Sequence, residues 1–263
     1  MLGFDFMRHA FLASGIVAVL AGAIGYVLVL RGQAFAAHAL AHVGFAGAAG
    51  AVLLGVSPFA GMLIAAFAGA GLMGALGERM AERDIAIGVV LAFALGLGLL
   101  FLHFFTGSAA QATALLFGNV LAVGGATLRL LAVVSALTLA ILAAIARPLL
   151  FATLQPDLAE ARGVGLRGLG VVFLLLLAMA SAAAAEIVGV LLVFALMVGP
   201  AAAAERLCRS ISAGIALSVG LALAAAWAGL TLAFYTDWPA SFWISALASG
   251  FYLAALGIAR LKR

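Results

Sequence analysis

Between Gly32 and Gly77 the chain carries no Asp, Glu, Lys or Arg, and the same holds for Ala10–Leu30 and Ile85–Leu128. Stretches of that length cannot be laid on a water-exposed surface. Of the 263 residues, 68% are hydrophobic and 8% charged, against about 25% charged in an average soluble protein. A soluble globular enzyme is therefore excluded. A helix rises about 1.5 Å per residue and the hydrocarbon core is about 30 Å thick, so about 20 uncharged apolar residues make one crossing. The chain reads as an integral, polytopic membrane protein.

Cutting at charges, prolines and polar clusters gives the apolar segments Ala10–Leu30, Ala34–Leu54, Pro58–Gly77, Ile85–Phe105, Leu130–Ala146, Gly168–Ala185, Ile187–Ala204, Gly214–Phe234 and Phe242–Ala259. Nine spans is the resulting count. Eight is the alternative, because the two segments meeting at Glu186 have no long polar connection. All are expected to be helical, since backbone facing lipid must satisfy its own hydrogen bonds and a barrel would show short alternating strands. The first apolar run is too long for a cleaved signal peptide and reads as the first span. The glycines, such as Gly69, Gly71, Gly74 and Gly77 or Gly96 and Gly98, predict close helix packing through small residues.

Arginines sort the loops. Arg79 with Arg83, Arg162 with Arg167, Arg206 with Arg209, and Arg260, Lys262 and Arg263 at the end of the chain fall on one side when nine spans are threaded, and Arg31 joins them. That side is cytoplasmic, because short cytoplasmic loops collect Lys and Arg, and the N-terminus is then outside. Arg8 and His9 are mild exceptions. Arg129 also stands on the opposite side, next to a polar-dotted stretch, Thr106 to Leu128, that reads as partly re-entrant or interfacial. The net charge of +4 reflects this asymmetry rather than nucleic-acid binding, for which there is no basic patch with interleaved aromatics. One cysteine, Cys208, rules out an internal disulfide. With Lys only at 262 there is no phosphate-loop motif, and no Ser/His/Asp triad pattern or cysteine cluster is present. If the chain takes part in ATP-powered transport, another subunit must supply the ATP chemistry.

Ionisable groups within spans are costly and mark candidate sites. His38 and His42 lie four apart in the second segment, which places both imidazoles on one helical face, one turn apart. They could share a borderline-soft divalent ion such as zinc, or be interior histidines bonded to neighbouring helices. His103, near the outer end of its span, is an interfacial histidine or a ligand at an entrance. Glu186 reads as a turn marker. Asp5 and Asp237 fall in outer loops. From about 153 to 165, Pro156 and Asp157 suit a helix start and Gly163 or Gly165 its end. This predicts a two-turn cytoplasmic helix, either an ordinary connection or a docking helix for a partner.

Several ordered stretches resemble the membrane permeases of bacterial ABC importers for zinc, manganese and iron. His38-Ala39-Leu40-Ala41-His42-Val43-Gly44 is similar to the family's Asp-x-x-x-His motif with small residues following. Leu116-Phe117-Gly118-Asn119-Val120-Leu121, Pro156-Asp157-Leu158-Ala159-Glu160-Ala161-Arg162-Gly163, Val188-Gly189-Val190-Leu191-Leu192 and Pro200-Ala201-Ala202 match further motifs in order. The resemblance implies a single all-α permease domain over 1–263, of the type II ABC importer kind, in the bacterial inner membrane. It implies a second permease copy, two cytoplasmic ATP-binding subunits and an extracytoplasmic metal-binding protein. It assigns His38 and His42 to the ion path, and Pro156, Asp157, Leu158, Ala159 and Gly163 to ATPase coupling. His38 stands where Asp is common in the family, an exchange that favours zinc over the harder manganese ion. A gradient-driven secondary transporter is the rival reading.

Overall fold

A computed structural model describes residues 3–76, 80–104, 116–118, 120–190 and 192–261. The helices are α1 (Asp5–Leu30), α2 (Ala34–Leu53), α3 (Pro58–Leu76), α4 (Met80–His103), α5 (Gly125–Leu154), α6 (Pro156–Ala161), α7 (Leu166–Val188), α8 (Val193–Leu207), α9 (Ile211–Thr236) and α10 (Ala240–Leu261), with a 3-10 turn at Val120–Ala122. Among the described residues there is no strand. Eight helices among the described residues are long and apolar enough to cross a membrane. The segment around the sequence motif Asn119 and Gln111, and the ends Arg79, Lys262 and Arg263, lie wholly or partly outside the described residues.

The seventh expected span is altered. Ile187–Ala204 is not one helix: α7 continues to Val188, the chain breaks at Gly189, and α8 runs from Val193 for 15 residues. At about 1.5 Å per residue α8 is about 22 Å long, too short to cross the hydrocarbon by itself. Glu186 accordingly marks no turn; it sits inside α7, two residues before the helix ends. The fifth span is also longer than Leu130–Ala146. Cutting at charges truncated it, whereas α5 carries Arg129 and Arg147 within its 30 residues, both exposed, their long stems able to reach past apolar surface.

Contacts order the helix ends. Arg31 at the end of α1 meets Thr153 at the end of α5 and Phe173 near the start of α7. A Cβ on Gly74, late in α3, would touch Val171 of α7. Tyr26 of α1 fills the space beside Gly214, early in α9, and packs with Ala201 and Ala204 of α8. One end of the bundle thus gathers Arg31, Arg162, Arg167, Arg206 and Arg209, which makes it the cytoplasmic end. The opposite end holds the starts of α1, α3, α5 and α10. There Trp227 Nε1 donates to the carbonyl of Phe11 at 3.1 Å, and Ser241 Oγ donates to the carbonyl of Phe117 at 2.7 Å.

α1, α2 and α7 are the inner helices, and α10, α4 and α5 present most of their surface outward. Large apolar side chains such as Phe93, Leu99, Val133 and Leu253 stand exposed on these outer helices, as lipid contact requires. Small residues set the inner spacing. A Cβ on Gly22 would strike the backbone of Val219 at 2.6 Å, one on Gly25 would strike the carbonyl of Met197, and Gly47 and Gly61 press backbone to backbone where α2 meets α3. Of the glycines singled out in sequence, Gly69 and Gly74 pack against Val43 and Val171, Gly98 lies on Phe45, and Gly71 and Gly96 face open space. Gly77 lies outside the described residues.

Candidate functional site: a histidine pair beside a broken helix

α2 is preceded by Gln33, whose buried side chain accepts a hydrogen bond from Arg31 Nε at 3.3 Å. His38 follows one turn into the helix and His42 a turn later. Their ring centroids lie 4.6 Å apart, edge to face. His42 is buried at 9% exposure and His38 is half-buried. Aromatic rings frame the more exposed member: Phe35 stacks on His38 at 6.0 Å, and Phe194 from the start of α8 meets it edge-on at 5.9 Å. The expected shared face is thus present, and α8 closes one side of it.

No third His, Cys, Asp or Glu joins the pair among the described residues. Two imidazoles can each offer one ring nitrogen to an ion, whose remaining positions fall to water or neutral oxygens. Such a set binds and releases, unlike a closed four-ligand structural zinc site. His103 is not brought to the pair. It stands exposed at the last residue of α4, against Phe104. Its neighbour Phe101 faces Gly50, eight residues beyond His42 along α2.

The helix break beside Phe194 is held by two glycines that back onto one another. Gly189 has φ +80 and Gly118 φ +74. A Cβ on either would run into the other's backbone: that of Gly118 into the amide of Gly189 and the carbonyl of Ile187, that of Gly189 into the backbone of Leu116–Gly118. Two motifs far apart in sequence therefore form one contact. Both stretches stood out as motifs in the sequence, but their contact with each other and the Phe194 contact did not, because neither depends on spacing within a single helix.

At the cytoplasmic end, α6 has Pro156 at its first turn and Asp157 beside it. Gly163 at φ +78 ends it, its N–H reaching the carbonyl of Glu160 at 2.9 Å while that of Val164 reaches the carbonyl of Ala159 at 3.0 Å. This is a Schellman closure, which the left-handed glycine permits. Ala159 is fully buried, and Pro156, Asp157 and Leu158 are exposed. Just before α6, Thr153 Oγ1 accepts from Arg31 Nη1 at 2.9 Å, and the Arg31 guanidinium lies 5.2 Å over the ring of Phe173. Arg31 thereby ties the last turn of α5, just before α6, to the start of α2.

A bundle of full-length apolar helices with one broken crossing and a capped helix at its arginine-rich end defines a polytopic membrane permease. The chain belongs to the ABC 3 transport family, whose sequence model matches residues 3–259. It is similar to the manganese transport system membrane protein MntC of Halalkalibacterium halodurans, 29% identical over 88% of this chain and 79% of that protein. It is also similar to the manganese import system permease protein ScaB of Streptococcus parasanguinis, 28% identical over 99% and 93%, and to the probable iron transport system membrane protein of Haemophilus influenzae, 28% identical over 99% and 96%. Among solved structures, PsaBC from Streptococcus pneumoniae in complex with Fab superposes with a TM-score of 0.86 at 27% identity, covering 96% of this chain and 91% of that one. The chain is thus a multi-pass membrane protein with the fold of ABC importer permeases.

Proposed function

We propose that this chain is the membrane-spanning subunit of an ATP-driven importer for a divalent first-row metal ion, and that His38 and His42 take the ion as it passes. The observation that carries this reading is the pair itself: two imidazoles 4.6 Å apart on an inner helix, at a depth where ionisable groups are expensive to keep. The relatives named for manganese and iron transport support the metal class. Two copies would assemble with two ATP-binding subunits seated on the exposed face of α6, through Pro156, Asp157 and Leu158, with Ala159 and Gly163 fixing that helix. An extracytoplasmic binding protein would deliver the ion. Approach of the ATPases would move α6, and the bundle would alternate between outward and inward openings.

On ligand chemistry the cargo is zinc, since imidazoles without a carboxylate favour zinc over manganese. The second reading, manganese or iron, is favoured by the names of the relatives. Competition among the three ions for uptake into proteoliposomes containing the assembled transporter decides between them. In the same vesicles, His38→Ala/His42→Ala should cut uptake by at least about 100-fold, because even outer-shell partners of metal ligands are worth about 10–100-fold. Unchanged uptake with normal assembly would remove these residues from the path.

A further inference from the structure

We infer that the permease has a second cation site, at the outer end of the bundle, built on Glu186. The inference rests on the reading of the chain as a divalent-metal permease. The carboxylate is half-buried and lines a pocket of about 260 Å³ with Ser57 and Pro58 at the start of α3 and Thr127 and Leu131 early in α5. The starts of α3 and α5 lie at the end of the molecule opposite Arg31, Arg162, Arg167, Arg206 and Arg209; Arg129, two residues beyond Thr127 on α5, shares their end and is exposed. Among the described residues the Glu186 carboxylate makes no hydrogen bond or ion pair. A carboxylate inside a membrane-crossing helix with no protein partner is costly, and such residues mark ion pathways.

The ligand chemistry differs from that of the histidine pair. One carboxylate and two hydroxyls offer oxygen only, the set taken by hard or still-hydrated divalent ions. At about 30 Å³ per water, the pocket has room for about eight waters, enough for an ion that keeps most of its shell. Glu186 would therefore collect a hydrated divalent ion at the outer mouth. The histidines deeper in the bundle would then replace water with imidazole. The outer site raises the local ion concentration and does not select among metals.

Two measurements test this on the assembled transporter. In proteoliposomes, Glu186→Gln should raise the KM for metal uptake about tenfold while leaving uptake at saturating metal within about twofold, as expected when binding but not the slow step is weakened. Separately, Mn2+ alone is titrated by electron paramagnetic resonance into the His38→Ala/His42→Ala transporter, where one weak ion per permease chain should remain. Adding Glu186→Gln should abolish that ion, and adding Glu186→Asp should retain it. An unchanged KM, or the same Mn2+ stoichiometry with and without Glu186→Gln, overturns the site. The binding titration reads the outer site even if wild-type vesicles take up no metal, which would instead defeat the proposed function.

Discussion

At the scale of single residues, function and strain meet at Gly189. Its φ of +80 and the backbone of Leu116–Gly118 against its α-carbon leave no room for a side chain. Gly189→Ala should lose about 1–3 kcal/mol to the backbone conformation alone, φ +80 with ψ 155, which is essentially reserved for glycine, and about 1–3 kcal/mol more to overpacking. Thermal unfolding in detergent checks this, with Gly96→Ala as the control: Gly96 faces open space within a helix, so its replacement should be neutral or stabilising by up to about 1 kcal/mol. Equal melting of wild type and Gly189→Ala would refute the backbone contact. The histidine pair was legible in sequence, because spacing of four fixes a common face whatever the helix packs against. Phe194, which closes that face, was not, since its place depends on where the chain resumes after a break. Glu186 was misread for a related reason: a lone charge between apolar runs usually separates two spans, and here it lines a pocket instead.

At the scale of elements, α6 was the most readable, its Pro, Asp and Gly each having one position where they help. What α6 touches was not readable. Arg31 bonds Thr153, Gln33 and the face of Phe173, tying the segment before α6 to the helix that carries the histidines. Hydrogen bonds to charged groups are worth about 1.5–3 kcal/mol, so Arg31→Ala should weaken this link by about tenfold or more. The expected result is ATP hydrolysis largely retained with the ions moved per ATP reduced. Arg31→Lys should not restore it, because an ammonium lacks the planar fork that serves two acceptors and an aromatic face at once. A normal transport-to-hydrolysis ratio in Arg31→Ala would show that α6 acts by another route. The α1–α9 seam offers a second test. Gly22→Leu would drive a side chain into the Val219 backbone and disturb the nearby bond from Ser218 Oγ to the Gly22 carbonyl, 2.7 Å long. Expression of folded protein, read by size-exclusion chromatography in detergent, should fall several-fold, in line with the cost of overpacking, about 1–3 kcal/mol.

At the scale of the whole molecule, sidedness can be read without adding any label. Cys208 is the sole cysteine, lies partly exposed at the end of α8, and belongs to the arginine-rich end. A membrane-impermeant maleimide should modify it in inside-out vesicles and leave it unmodified in right-side-out ones; the reverse pattern would invert the topology. Membrane insertion and helix-only architecture were determined by the sequence itself, because each depends on the composition of one segment at a time: enough apolar residues to cross and no water to satisfy an open backbone, while the arginine pattern sets the sidedness that the maleimide experiment tests. Which face of each helix turns inward was decided only by the tertiary structure. Lipid is as apolar as the protein interior, so a helix such as α2 carries no polar stripe to reveal its buried side. The close approaches at Gly22, Gly25 and Gly47, the mutual fit of Gly118 and Gly189, and the pocket around Glu186 all arise where separate segments meet at backbone distance, a relation that no single stretch of sequence encodes.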